Sequence, residues 1–238
     1  MKRAVLTVAL TCAGCVDAPS PGKTNPEPAA VTRLSGDGAV FYTPRDCGKA
    51  QAYVPPEAGR KFTYALANDK GEIQPGVTRE EAIGVVRGDV VEYGERIVTP
   101  DGQATPPEVR RIRAGVLPLS GPAMSIAYTA DRRDPTTLSV GQTETYPILY
   151  TASGQFGERA QDTTIAVTFV NCRTIANGYG VISGEPVRVY RLVLPAVQAP
   201  PAADELTATE FEWAVSERTG WRLVERSPAA VTFVTDMQ

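Results

Sequence analysis

The stretch Glu210-Phe211-Glu212-Trp213-Ala214-Val215 alternates bulky apolar residues with acidic or small ones. A backbone that repeats every two residues puts Phe211, Trp213 and Val215 on one face and the glutamates on the other, as a half-buried strand requires. The same period runs through 163–170, where Ile165, Val167 and Phe169 oppose Thr164, Ala166 and Thr168. It recurs in 187–194, where Val187 and Val189 oppose Arg188, Tyr190 and Leu192. After Val215 the polar run Ser216-Glu217-Arg218-Thr219-Gly220 reads as an exposed loop. Trp221, Leu223 and Glu225 then begin a return strand, which puts both tryptophans on one hairpin, and 231–234 reads as a final strand.

Earlier segments fit the same scheme: 39–43, 60–67, 82–87, 90–98, 109–117, 124–129 and 144–150. Asn68-Asp69-Lys70-Gly71, Pro100-Asp101-Gly102 and Ala152-Ser153-Gly154 supply turns between them. The 20 prolines and 21 glycines of the 238 residues suit many short strands rather than long helices. Thr78-Arg79-Glu80-Glu81 matches a capping box and predicts one helical turn before Ala82. Gly59, Thr63-Tyr64 and Ile83 recur at a constant offset as Gly141, Thr145-Tyr146 and Ile165, either a duplicated unit or the rhythm of any meander. The expected fold is all-β: an antiparallel curved sheet, a sandwich or an open barrel, with 33–130 and 131–238 as candidate similar halves.

The N-terminus reads differently. Met1-Lys2-Arg3 is a short basic run, and 4–13 is apolar but too short to span a bilayer. Ala13-Gly14-Cys15 resembles the lipobox of bacterial lipoproteins. The resemblance implies that Cys15 receives a diacylglycerol thioether and becomes the acylated mature terminus. The lipobox leucine is replaced here by Cys12, and ordinary signal cleavage after Ala18 is the alternative. Pro19, Pro21, Pro26 and Pro28 then keep the chain extended. The expected organisation is a signal at 1–14, a proline-rich tether at 15–32 and a single β-rich domain at 33–238, held at the membrane by lipid. No other segment approaches the twenty apolar residues of a spanning helix.

Net charge is −3, and −5 once Lys2 and Arg3 are lost with the signal. Basic residues are dispersed, with none of the concentrated footprint of a nucleic-acid binder. The chain has no histidine, which removes Ser-His-Asp and Cys-His catalysis and the usual zinc sites. No catalytic residue, metal ligand or cofactor is assigned. With Cys12 lost and Cys15 lipidated, Cys47 and Cys172 are expected to pair in an oxidising compartment, two unrelated buried thiols being the alternative.

The glycine-rich 177–184 is followed by Glu185-Pro186 and a strand, so it reads as a turn and not a phosphate cradle. Ser183 lies in no nucleophile elbow. Glu80-Glu81 and Glu210/Glu212 read as the wet side of strands, and Asp131-Arg132-Arg133-Asp134 as a solvated, self-paired loop.

Across 138–227, the order Leu138-Ser139-Val140-Gly141-Gln142, then 184–192, then Phe211-Glu212-Trp213 and Gly220-Trp221 resembles uncharacterised exported β-rich bacterial proteins. That resemblance implies a curved antiparallel sheet. Phe169, Tyr190, Phe211, Trp213, Trp221 and Phe233 belong either to an ordinary core or to an apolar pocket facing an acyl chain. The function expected is a non-enzymatic envelope lipoprotein, binding or structural, facing the periplasm or cell exterior. Its partners would be the membrane and a hydrophobic ligand or another envelope protein. The alternatives are a carrier or sensor of a hydrophobic ligand and a histidine-independent hydrolase.

Overall fold

The computed structural model describes residues 32–33, 40–48, 52–68, 72–154, 157–178, 180–195, 209–228 and 230–238. The lipobox-like stretch, Cys15 and the proline-rich tether lie outside them. Among the described residues every strand pairing is antiparallel, in one 14-stranded sheet.

Twelve of those strands close on themselves. They begin with β3 (Lys61–Asn68), β4 (Ile73–Arg87) and β5 (Val90–Val98), and continue through β6 (Glu108–Arg113), β7 (Leu117–Gly121) and β8 (Met124–Tyr128). The second set is β9 (Thr143–Gly154), β10 (Gly157–Asn177), β11 (Glu185–Leu194), β12 (Thr209–Ser216), β13 (Arg222–Arg226) and β14 (Ala230–Met237). Each pairs with the next, β9 pairs with β10, and β14 returns to β3 through Thr232↔Leu66 and Phe233↔Ala65. The expected curved sheet is therefore a closed barrel, which removes the edges an open sheet would leave. Register shifts in β3/β4, β4/β5, β6/β7, β10/β11, β12/β13 and β14/β3 supply the local bends that closure needs. The boundary near residue 130 divides the barrel into six strands and six. Tyr64 and Tyr146 open equivalent hairpins in the two sets, but Tyr64 faces Arg79 whereas Tyr146 faces Ile165, so the hairpin registers differ.

β10 is 21 residues long and serves two layers. Up to Thr168 it pairs with β9; beyond its bulge, Cys172–Asn177 pairs with β2 (Val40–Arg45), which also carries β1 (Thr32–Arg33). This end lies across the outer face of β12–β14: Arg173 pairs with Glu212 at 3.8 Å, and Asn177 Nδ2 donates to the Val234 carbonyl at 2.6 Å. It explains why the outward row Val189, Ala214, Val224, Phe233 and Ala65 is buried as fully as the inward one. Val40, Tyr42 and Ile175 complete that second core. Elsewhere the outer wall is charged: Glu80 faces Arg96 across β4–β5, and Glu92 faces Arg111 across β5–β6. A lipid-facing barrel wall would instead present an apolar band.

The helical turn expected at 78–81 is not formed. Those residues lie mid-strand in β4, paired to β3 on one edge and β5 on the other, so the backbone N–H groups that a cap would serve are already bonded. The expected strand 109–117 is broken at Ala114 and Gly115, both with positive φ (51° and 67°), and resumes as β7. The only helical element among the described residues is the 3-10 turn Pro135–Thr137, capped by Asp134, which accepts from Thr136 N at 2.8 Å. That corrects the reading of 131–134 as self-paired: Arg132 reaches Glu144, and the Arg133 carbonyl accepts from Tyr146.

Candidate functional site

Alternation places Phe62 and Tyr64 of β3, Arg79 and Glu81 of β4 and Tyr93 of β5 on the inward face. The bulge within β13, between Arg222 and Val224, brings both Arg222 and Glu225 inward beside them. Four charges, Arg79, Glu81, Arg222 and Glu225, therefore meet in the barrel interior, with the Glu95–Arg110 pair at 2.9 Å on the same face beside them. Glu81 is 1% exposed. Its Oε2 accepts from Trp221 Nε1 at 2.9 Å and lies 2.8 Å from the Tyr64 hydroxyl. Arg222 Nη2 donates to the Tyr93 hydroxyl at 2.7 Å and lies 3.3 Å from Glu81 Oε1, while Nη1 lies 2.7 Å from Glu225. Arg79 bridges the same two carboxylates, at 2.6 Å from Glu225 and 3.5 Å from Glu81.

Aromatic rings complete the surroundings. The Arg222 guanidinium lies 4.9 Å from the Trp213 ring, 5.1 Å from Trp221 and 5.2 Å from Tyr93, and Arg79 lies 4.3 Å from Tyr64. Such cation–π contacts gain strength when desolvated. Two arginines against two glutamates make the cluster neutral, the condition under which ionised groups tolerate burial. Burial acts to raise the Glu225 carboxyl, but Arg222 and Arg79 outweigh it and hold the group down to about 2. Burial likewise opposes the charge on both arginines, and the glutamates overcome it, holding them above the ordinary arginine value. Tyr93 is pushed up to about 12, chiefly by burial. Glu225, Arg79 and Arg222 thus keep their charges across the physiological range, and the cluster works as a clamp joining β3, β4, β5 and β13.

The aromatic residues singled out in the sequence line this interior. Phe169 and Tyr190 are each 1% exposed with ring centroids 5.4 Å apart, and the register continues from Tyr190 to Trp213. Trp221 is fully buried between Phe62 at 5.9 Å and Tyr93 at 4.9 Å. Phe211, facing Leu192, is half-buried. Phe233 sits instead on the outward row, in the second core. The loop 216–220 is less exposed than expected. Ser216 is buried, its Oγ accepting from Arg218 N and Thr219 N, and Gly220 packs against Val54.

Glu81 corrects the reading of Glu80-Glu81 as a wet pair. Glu80 alone faces outward, 2.6 Å from Arg96, beside an external groove of about 360 Å³ lined by Lys61, Thr63, Pro107 and Gln238. Arg79, Glu225 and Tyr64 enter the sequence reading only as capping-box, return-strand and repeat residues, and Arg222 and Tyr93 do not enter it as candidates. Period-two reading of Arg79-Glu80-Glu81-Ala82-Ile83 would have put Arg79 and Glu81 beside Ile83, but the bulge at β13 hides Arg222 and Glu225 from any such pattern. Cys47 and Cys172 are joined by a disulfide with Cα atoms 5.1 Å apart, tying the end of β2 to β10. Among the described residues no cluster of three or more metal-ligating side chains occurs.

No known protein family matches the chain, and no curated protein does. Solved structures similar to it include the following three. A lipoprotein candidate from Parabacteroides distasonis has 10% identity and a TM-score of 0.46, covering 78% of this chain and 98% of its own. An exported-protein candidate with a YmcC-like fold from Bacteroides fragilis has 9% identity and a TM-score of 0.42, with coverage of 78% and 98%. The hypothetical lipoprotein YmcC of Escherichia coli has 13% identity and a TM-score of 0.38, with coverage of 77% and 85%.

Proposed function

We propose that this chain is a lipid-anchored envelope protein whose barrel is a rigid, non-catalytic module that presents its outer surface to a partner. The observation that carries the reading is the filled interior: the four-charge clamp and the aromatic residues around Trp221 occupy the space that a carrier would give to an acyl chain. The clamp also lacks the arrangement of a hydrolase. Its carboxylates are neutralised by arginine, and Glu225 is held far below the neutral range where a general base works. Binding would then fall to the outside, where charged strands and the groove beside Lys61, Glu80 and Arg96 meet solvent. Cys15 is the proposed acylation site and 15–32 the proposed tether.

The test is metabolic labelling with palmitate, with membrane fractionation, of the full chain and of Cys15→Ser, combined with mass spectrometry of lipids extracted from the native purified protein. The expected result is label and membrane association lost in Cys15→Ser, with no stoichiometric lipid beyond the anchor. Label retained in Cys15→Ser overturns the anchor assignment. A stoichiometric second lipid overturns the filled-interior reading in favour of a carrier.

A further inference from the structure

Tyr53 and Val54 pack against the turns at Gly115 and Gly220, and a small cavity lies beside them. About 30 Å³ in volume, it is lined by Tyr53, Thr136, Arg188, Tyr190, Val215 and Gly220 among others. That is about twice the space one water needs, enough for a group of two or three heavy atoms. Three of the lining residues carry a buried polar atom with no hydrogen-bond partner among the described residues: the Tyr53 hydroxyl, the Tyr190 hydroxyl and Arg188 Nε. Tyr190 itself is 1% exposed. Buried polar atoms are nearly always satisfied, so three around one cavity point to an occupant.

The charge selects its type. Arg188 Nη1 donates to the Thr136 carbonyl at 2.6 Å and Nη2 to Leu138 at 3.5 Å, and the cation faces the Phe169 ring at 4.2 Å. Among the described residues its partners are carbonyls and two aromatic rings, with Asp134 and Glu217 acting on the neighbouring Tyr190 from farther off, and no carboxylate is at ion-pair distance from it as for Arg79 and Arg222. Glu217, the one acidic residue in the lining, is already paired with Arg45. Nε–H can only donate, and both phenol hydroxyls can turn to donate. We propose that this cavity is an anion site that takes one carboxylate- or halide-sized group, with Arg188 supplying charge and Tyr53 and Tyr190 supplying hydrogen bonds. The site is independent of the anchoring and of the outer groove.

Thermal unfolding of the full chain tests it, with chloride, formate, acetate and octanoate titrated as sodium salts at constant ionic strength. The expected result is a saturable rise in Tm with half-saturation on the order of millimolar. Tyr190→Phe and Tyr53→Phe, which remove one hydroxyl each, should weaken it about tenfold, and Arg188→Gln should abolish it. Saturation by chloride and formate alone identifies a free small ion. Stronger saturation by octanoate identifies the carboxylate end of a longer molecule. A rise equal in the parent and both phenylalanine variants is a general salt effect, and no saturable rise means that water fills the cavity; either overturns the proposal. Should Arg188→Gln fail to fold, the phenylalanine variants still decide, since neither removes a bond seen in the structure.

Discussion

Glu80 and Glu81 are adjacent in sequence and opposite in environment, so replacing each with alanine isolates the worth of the interior clamp. Glu81→Ala leaves Arg79 and Arg222 sharing Glu225 alone, in an interior now carrying a net positive charge. Breaking a buried pair costs about 3–5 kcal/mol, and the Trp221 N–H left without its acceptor adds about 1 kcal/mol. The expected loss is therefore about 4–6 kcal/mol, a large share of the roughly 5–15 kcal/mol that holds a typical domain together. Glu80→Ala removes an ion pair whose side chains are 48% and 35% exposed, and should change stability by less than about 0.5 kcal/mol. Urea unfolding followed by tryptophan fluorescence suits the comparison, because Trp213 and Trp221 both contact Arg222. Arg79→Met combined with Glu81→Ala restores neutrality, and the double variant should lose less than the sum of the single losses by about 1 kcal/mol or more. If Glu81→Ala shifts stability by less than about 1 kcal/mol at unchanged m, the cluster is hydrated and the argument fails.

Three further outcomes are expected. Replacing Cys47 and Cys172 together with alanine opens a loop with sequence separation 125, worth up to about 5 kcal/mol in the chain-entropy model, and chemical denaturation should show a loss of about 3–5 kcal/mol. Glu225 has a carboxyl lowered from 4.5 to about 2 on folding, so its contribution is complete above about pH 5 and disappears as pH falls through 2. Unfolding free energies from urea titration should drop over that window by an amount on the order of 3 kcal/mol, offset at its upper end by Glu95, whose burial raises its carboxyl and acts in the opposite direction. Gly88 and Gly220 share a φ near 60° (61° and 62°), yet an added Cβ at Gly220 would lie 1.6 Å from the Val54 carbonyl oxygen and at Gly88 would meet nothing within 4 Å. Gly88→Ala should cost about 1–2 kcal/mol by backbone strain alone, while Gly220→Ala should prevent the 52–60 segment from seating, as limited proteolysis at Tyr53 would report.

Strand identity was legible because the inward rows keep strict alternation: Ile165-Val167-Phe169 and Phe211-Trp213-Val215 point into the barrel as their spacing predicts. Closure was not legible. It depends on β14 finding β3 and on bulges that leave no mark in composition, and an open barrel satisfies the same local pattern. The second layer was hidden for a related reason. Val189, Ala214 and Val224 look like the minor face of half-buried strands until β2 and the end of β10 are known to cover them. The capping-box reading failed because a local backbone preference yielded to ladders on both edges of β4. Of the clamp, Arg79 and Glu81 obey alternation but resemble surface charge, because burial of a carboxylate is decided by partners about 140 residues away.

That distance bears on how the protein can be made. Glu81 meets Trp221 and Arg222 across separations of 140 and 141 residues, Tyr64 meets the Arg222 carbonyl across 158, and Thr235 reaches Thr63 across 172. A chain delivered from its N-terminus must hold β3 and β4 ready, with Arg79 and Glu81 still lacking Glu225 and Arg222, until β13 and β14 arrive. Non-local pairing of this kind folds slowly and leaves intermediates exposed. The barrel can therefore close only once β13 and β14, at the end of the chain, are available to pair with β12 and β3, so its interior and its fold are completed in the same late step.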